Sequence, residues 1–201
     1  MATPKKMSYI CDTNIWVRAC LGKVISAFFD NFGTITFADG VENEILKWSR
    51  NKDRFNSISA MFQQHKGKNL NVIYLDDIDE QNQILIRRQL KEFGFENLDN
   101  SRENVKNLGE YLSITYAYFL EIPFLQTEDV EFYESVDLNN RFKGIEIVTW
   151  NDIASKITKS DVERIRLNKL IEQEQSVMKS KKAPSESLEE KLRRLRQKYS
   201  G

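Results

Sequence analysis

Four acidic residues occupy places from which a chain of this pattern could run metal-assisted hydrolysis: Asp12, Glu44, Glu110 and Asp129. Asp12 directly follows the apolar run Tyr9-Ile10-Cys11, and Asp129 follows Phe124-Leu125-Gln126-Thr127 with Glu128 between. Glu44 falls one turn into an amphipathic stretch, beside the stripe Val41, Ile45 and Trp48; Glu110 opens another, on the flank of Leu108, Ile114 and Ala117. Two carboxylates within about 4 Å repel by several kcal/mol even at an effective dielectric of about 20. A hard divalent cation relieves that repulsion, and oxygen-only donors select Mg²⁺ or Mn²⁺ over zinc. An ion with water positions still open can bind a phosphodiester oxygen and acidify an attacking water. Hydrolysis of that kind needs no histidine, which suits a chain whose only histidine is His65.

Each acid also has a structural reading. Asp12 could cap a helix beginning at Thr13 or Asn14. Glu110 could close a capping box with Asn107, Glu44 could be a solvated charge on a half-exposed helix, and Asp129 could be an ordinary turn or cap residue. Only the convergence of all four separates the two readings.

The elements that must position them follow from the apolar pattern. Short apolar runs alternate with longer helical periods, the sequence sign of an α/β domain with a parallel sheet. Expected strands are Ser8 to Cys11, Thr34 to Ala38, Asn71 to Leu75, Pro123 to Thr127 and Ile145 to Thr149. Helices are expected at Ile15 to Asn31, Val41 to Asn51, Asp79 to Phe93, Leu108 to Leu120, Val130 to Leu138 and Asp161 to Met178. An open parallel sheet binds ligands beyond the carboxyl ends of its strands, where Asp12 and Asp129 fall.

At 201 residues the chain can bury a core without disulfide or zinc staples. Cys11 and Cys20 form no CxxC pair and have no ligand-spaced histidines, which argues against a zinc finger, a thioredoxin-type centre or a secreted disulfide scaffold. His65, in FQQHKGKN, reads as a loop histidine, so no Ser-His-Asp or Cys-His mechanism is expected. The amino-terminal stretch has no apolar signal core. The longest apolar stretch, Tyr111 to Leu125, is interrupted by Ser113, Thr115 and Glu121, short of the about 20 residues a spanning helix needs. No membrane association and a cytoplasmic location are therefore expected.

At this point the residues carry a resemblance. Tyr9-Ile10-Cys11-Asp12-Thr13-Asn14-Ile15 resembles the opening strand and Asp-x-Asn of PIN-domain nucleases, the fold of VapC-type toxins. Val41-Glu42-Asn43-Glu44-Ile45 is similar to the second family motif, a Glu in the helix after the second strand. Gly109-Glu110-Tyr111-Leu112-Ser113-Ile114-Thr115-Tyr116-Ala117 resembles the third, although bulky Tyr111, Leu112 and Tyr116 stand where alanines are common and an Asp is the commoner acid. Asp99 and Glu103 are the alternative acids for that place. Thr127-Glu128-Asp129 matches the fourth, a Thr two residues before an Asp.

The resemblance implies a three-layer domain over residues 7–157, a five-stranded parallel sheet between helices. It implies a metal-dependent endoribonuclease that leaves 3′-hydroxyl and 5′-phosphate ends, used as a toxin of a toxin–antitoxin or defence system. Carried over, Asp12, Glu110 and Asp129 would hold Mg²⁺ or Mn²⁺, and Glu44 would orient the attacking water or help a second ion. Asn14 and Thr127 would hold carboxylates or a phosphate oxygen from behind. An antitoxin partner and a homodimer are further family properties.

Residues 158–201 lie outside the resemblance and read as a basic helical extension. From Lys156 onward there are 13 Lys and Arg against 7 Asp and Glu, a balance of +6, which leaves −6 on the rest of this formally neutral chain. Ser187 and Glu190 form a capping box for a last helix whose stripe Leu188, Leu192, Leu195 and Tyr199 is surrounded by Arg193, Arg194, Arg196 and Lys198. That helix could pack on its own body, dock a protein partner, or meet RNA phosphates. Two other functions remain open. One is a haloacid-dehalogenase-type phosphohydrolase, whose Asp-x-Asp is here Asp12-Thr13-Asn14; the other is a catalytically inactive PIN-like binding module acting through its C-terminal helices.

Overall fold

Each of the five expected apolar runs holds a strand, with ends within two residues of expectation: β1 (Tyr9–Cys11), β2 (Ile35–Ala38), β3 (Leu70–Ile73), β4 (Phe124–Gln126) and β5 (Glu146–Val148). The structure, a computed structural model, describes residues 7–47, 56–95, 107–135 and 140–180. All strand pairs are parallel and the order is β3-β2-β1-β4-β5. Ile10, Cys11, Ile35, Phe37, Ala38 and Leu125 are buried, as a parallel sheet covered on both faces demands. The chain runs from β1 outward to β3 and then returns to the other side of β1 as β4. The switch in winding direction therefore falls between β1 and β4, where Cys11 is in register with Gln126.

The helices are α1 (Thr13–Leu21), α2 (Ile25–Phe32), α3 (Asp39–Lys47), α4 (Asn56–His65), α5 (Glu80–Glu92), α6 (Leu108–Phe119), α7 (Val130–Tyr133), α8 (Trp150–Ile157) and α9 (Asp161–Ser180). Helix α6 lies across β2, β1 and β4, and α3 and α5 pack against it; α1 packs beside α2, α3, α4 and α9. Fully buried Trp16 of α1 meets Phe37 and Phe62 edge-on, at 5.8 and 5.6 Å between ring centroids, and its indole N–H reaches the Ile58 carbonyl. This fixes the start of α1, and with it the end of β1. Among the described residues no helix is long and apolar enough to cross a membrane.

Several elements depart from expectation. The single helix expected over Ile15 to Asn31 is two, because the chain turns at Lys23 (φ +57°) where α9 comes close. A Cβ on Gly22 would stand 2.7 Å from Leu167 Cδ1 and 3.1 Å from the Arg18 carbonyl oxygen. Gly22→Ala should therefore cost on the order of 1 kcal/mol, measurable by urea unfolding, as Leu167 is forced aside. Helices α4 and α8 fall outside the expected helices. Ile58, Met61 and Phe62 supply an inward face for α4, and the Thr149–Asp152 capping box starts α8. His65 is consequently not a loop residue: it ends α4 with its ring 4.9 Å from that of Phe29. Helix α7 stops at Tyr133, well before Leu138, and residues 136–139 lie outside the described residues.

Helix α9 forms the first part of the charged extension and does not stand apart from the body. Its Leu167 and Ile171 join the common core, and Asn168 Oδ1 accepts a 2.9 Å hydrogen bond from Trp150 Nε1. The last helix expected after Ser187, with Arg193, Arg194, Arg196 and Lys198, lies outside the described residues, as do Asp99 and Glu103.

Candidate active site

The carboxyl ends of β1 and β4 lie side by side, so the residues following them are neighbours although 115 positions separate Asp12 from Thr127. Asp12 occupies the N-cap position of α1 in extended backbone, yet its side chain makes no capping bond to the helix. Its Oδ2 instead accepts a 2.9 Å hydrogen bond from Thr127 Oγ1, and the same hydroxyl oxygen accepts the Asp129 backbone N–H at 3.1 Å. Thr127 thus couples Asp12 to the turn that carries Asp129. Asp129 caps α7, with Oδ1 accepting the Phe132 N–H at 3.3 Å.

The other two acids arrive on α3 and α6. These helices can approach because each presents a glycine at the contact: a Cβ on Gly40 would lie 2.5 Å from Leu112 Cδ1 and 3.5 Å from Gly109 Cα. Glu44 follows Gly40 by one turn and Glu110 follows Gly109 directly, so the crossing sets both. The capping-box reading of Glu110 fails, since Asn107 sits at the N-cap with left-handed backbone and no side-chain cap bond. Glu44 is exposed but not unbound: its Oε2 accepts a 2.6 Å hydrogen bond from the Thr13 hydroxyl.

The electrostatics tie the four together. Asp12 is only 2% exposed, and burial first, then the charges of Glu110 and Glu44, raise its pKa to about 7 against the Thr127 hydrogen bond. Glu110 is raised as well, by burial and by Glu44 and Asp129. Tyr133, buried beneath them, donates its hydroxyl to the Glu110 carbonyl oxygen at 3.2 Å, and burial together with the Asp12, Glu110 and Asp129 charges keeps it protonated. Among the described residues no lysine or arginine forms an ion pair with any of the four acids.

Neighbouring acids at the same edge are handled differently. Glu128 pairs with Arg18 at 2.9 Å and accepts the Trp150 N–H. Buried Glu42 pairs with Lys66 at 2.6 Å and accepts the Tyr74 hydroxyl. Asp39, at the end of β2, accepts from Gly40 N, Leu75 N and the Tyr116 hydroxyl. Glu128 and Glu42 thus have a cationic partner, and Asp39, though raised by burial, has three neutral donors; among the described residues Asp12, Glu44 and Asp129 each accept a hydroxyl or a backbone amide and no cation.

Uncompensated carboxylates of hard oxygen chemistry fit a divalent cation, with Asp12 as the fixed point. They are not drawn into a closed cage. Among the described residues no three His, Cys, Asp or Glu side chains are grouped tightly enough to enclose an ion, with Glu44 turned onto Thr13 and Asp129 onto α7. Asn14 is exposed in the first turn of α1, and no side-chain hydrogen bond ties it to a carboxylate among the described residues. Thr13, Tyr133 and the Gly40–Gly109 contact stand outside the expected site residues. A glycine one turn before Glu44 and another directly before Glu110 are the sequence sign of that contact.

No family model matches the chain, and no curated protein does either. Among solved structures it is similar to VapBC2 from Rickettsia felis bound to a DNA fragment from their promoter, with 18% identity and a TM-score of 0.45, over 71% of this chain and 98% of that one.

Proposed function

We propose that the protein is an Mg²⁺- or Mn²⁺-dependent endoribonuclease whose site is the acidic notch between β1 and β4. The observation that carries the reading is Asp12: a carboxylate at the switch point raised by burial and then by the charges of Glu110 and Glu44, with no cationic partner among the described residues. Asp12, Glu110 and Asp129 would hold the ion, which when bound would supply a Lewis acid for a phosphodiester oxygen and acidify a water. Thr127 pins Asp12 so that a carboxylate oxygen keeps its place. Glu44, exposed at the mouth, orients the attacking water and receives its proton. Attack on phosphorus breaks the bond to the 3′ oxygen, which takes up a proton from solvent, leaving 3′-hydroxyl and 5′-phosphate ends. Asn14, two residues after Asp12, would meet a phosphate oxygen.

RNA as the substrate, an antitoxin partner, homodimer formation and a cytoplasmic toxin or defence role are what the resemblance of the four ordered motifs to PIN-domain nucleases implies. Cleavage of a labelled RNA pool by the purified protein tests the reading. Products should appear with Mn²⁺ and vanish with chelator, and Mn²⁺ at a hundred times its Kd should stabilise the fold by about 2.7 kcal/mol. RNA left whole at every metal concentration would overturn it.

A further inference from the structure

Thr13 combines three properties that a helix-starting threonine rarely needs together. It is buried, it is the chain neighbour of Asp12, and its hydroxyl hydrogen goes out of its own helix to Glu44 Oε2, 31 residues away, at 2.6 Å. Glu44 is otherwise an exposed side chain with three rotatable bonds, and Asp12 and Glu110 both repel it. Left to solvent and repulsion, its carboxylate would swing outward. The Thr13 bond opposes that swing and fixes one Glu44 oxygen relative to the backbone bearing Asp12.

We propose that Thr13 is a positioning residue of the site: its hydroxyl holds the Glu44 carboxylate in the orientation from which it addresses the attacking water. The proposal rests on the nuclease reading above and adds to it a residue that touches neither ion nor substrate. Thr127 does for Asp12 what Thr13 does for Glu44, so the two flanking carboxylates of the notch are each held by one threonine hydroxyl. The hydroxyl of Thr13 has a single hydrogen to give, and Glu44 receives it. A valine of the same shape keeps the packing and removes the bond; a serine keeps the bond and removes a methyl group.

The test is a set of variants assayed with Mn²⁺ on a labelled RNA, together with side-chain ¹³C relaxation of Glu44. Thr13→Val should lower kcat about tenfold or more with KM for RNA little changed, the size typical of losing a group that orients a ligand. Thr13→Ser should restore kcat. In a Glu44→Gln background Thr13→Val should add no further loss, and the Glu44 side chain should gain mobility in Thr13→Val but not in Thr13→Ser. Should Thr13→Val fold poorly, Thr13→Ala is read in the same scheme. Unchanged kcat in Thr13→Val, an equal loss in Thr13→Ser, or a full additional loss on top of Glu44→Gln would overturn the proposal. A wild-type protein that cuts no RNA sinks the nuclease reading instead, and the relaxation arm then decides alone whether Thr13 holds Glu44: equal mobility in wild type and Thr13→Val overturns it.

Discussion

Asp12→Asn should abolish RNA cleavage, by about a thousandfold or more, while making the metal-free protein more stable at pH 8. The amide is nearly isosteric and its oxygen can still accept the Thr127 hydroxyl, so the fold loses nothing it depends on. What disappears is a negative charge that the metal-free protein holds at a cost. The pH dependence has a definite sign. With an ordinary carboxyl pKa of 3.8 in the unfolded chain and about 7 in the fold, both states carry the proton below pH 4. Between those values the folded state binds a proton that the unfolded state has released, so stability falls as pH rises, by on the order of 1 kcal/mol per pH unit. Above about pH 7 the loss is complete. Glu110, also raised, acts in the same direction. Thermal melts in chelator should therefore show the wild type losing stability from pH 5 to pH 8, with Asp12→Asn flatter and melting at least about 3 °C higher at pH 8. A variant that melts lower than wild type at pH 8 would contradict the account of that charge.

Gly40→Val should impair cleavage by on the order of a hundredfold in a protein that still folds. The Cβ alone would come within 2.5 Å of Leu112 Cδ1, and Leu112 can move; the added methyl groups face Gly109 backbone, which cannot. Helices α3 and α6 must then separate, carrying Glu44 away from Glu110. Overpacking of this kind costs about 1–3 kcal/mol, which leaves a folded protein, whereas a displacement of about 1 Å at reacting groups is enough for the hundredfold loss. Circular dichroism and a melt establish folding; the assay gives the rate. A rate near wild type would show that the glycine contact does not set the acids.

How much of this could be read from residues alone differs by element. The strands were legible because each is a short apolar run bounded by polar residues, and a parallel sheet buries both faces of its central strands. Asp12 and Asp129 were legible as residues just past strand ends. Their neighbour Glu128 looked equivalent in the chain; Arg18 and the Trp150 N–H claim it, a distinction that depends on α1 and α8 packing nearby. Glu42 and Glu44 likewise differ by two positions on one helix, one facing Lys66 and the other Thr13. The break after Leu21 was hidden because its cause, the approach of α9 to Gly22, is a contact between segments more than a hundred residues apart. Helix α4 is hard to read despite its Ile58, Met61 and Phe62 spacing, since Asn56, Ser57 and Ser59 dilute the helical preference of so short a segment.

The central claim is that Asp12, Glu110 and Asp129 share an ion. A crystal of the wild-type protein soaked in Mn²⁺ and measured at the manganese absorption edge answers this directly. An anomalous peak in the notch, at coordination distance from Asp12 and from Glu110 or Asp129, is the predicted result, and the peak should be missing in Asp12→Asn. Manganese bound only elsewhere, or a notch that stays empty at saturating Mn²⁺, would contradict it.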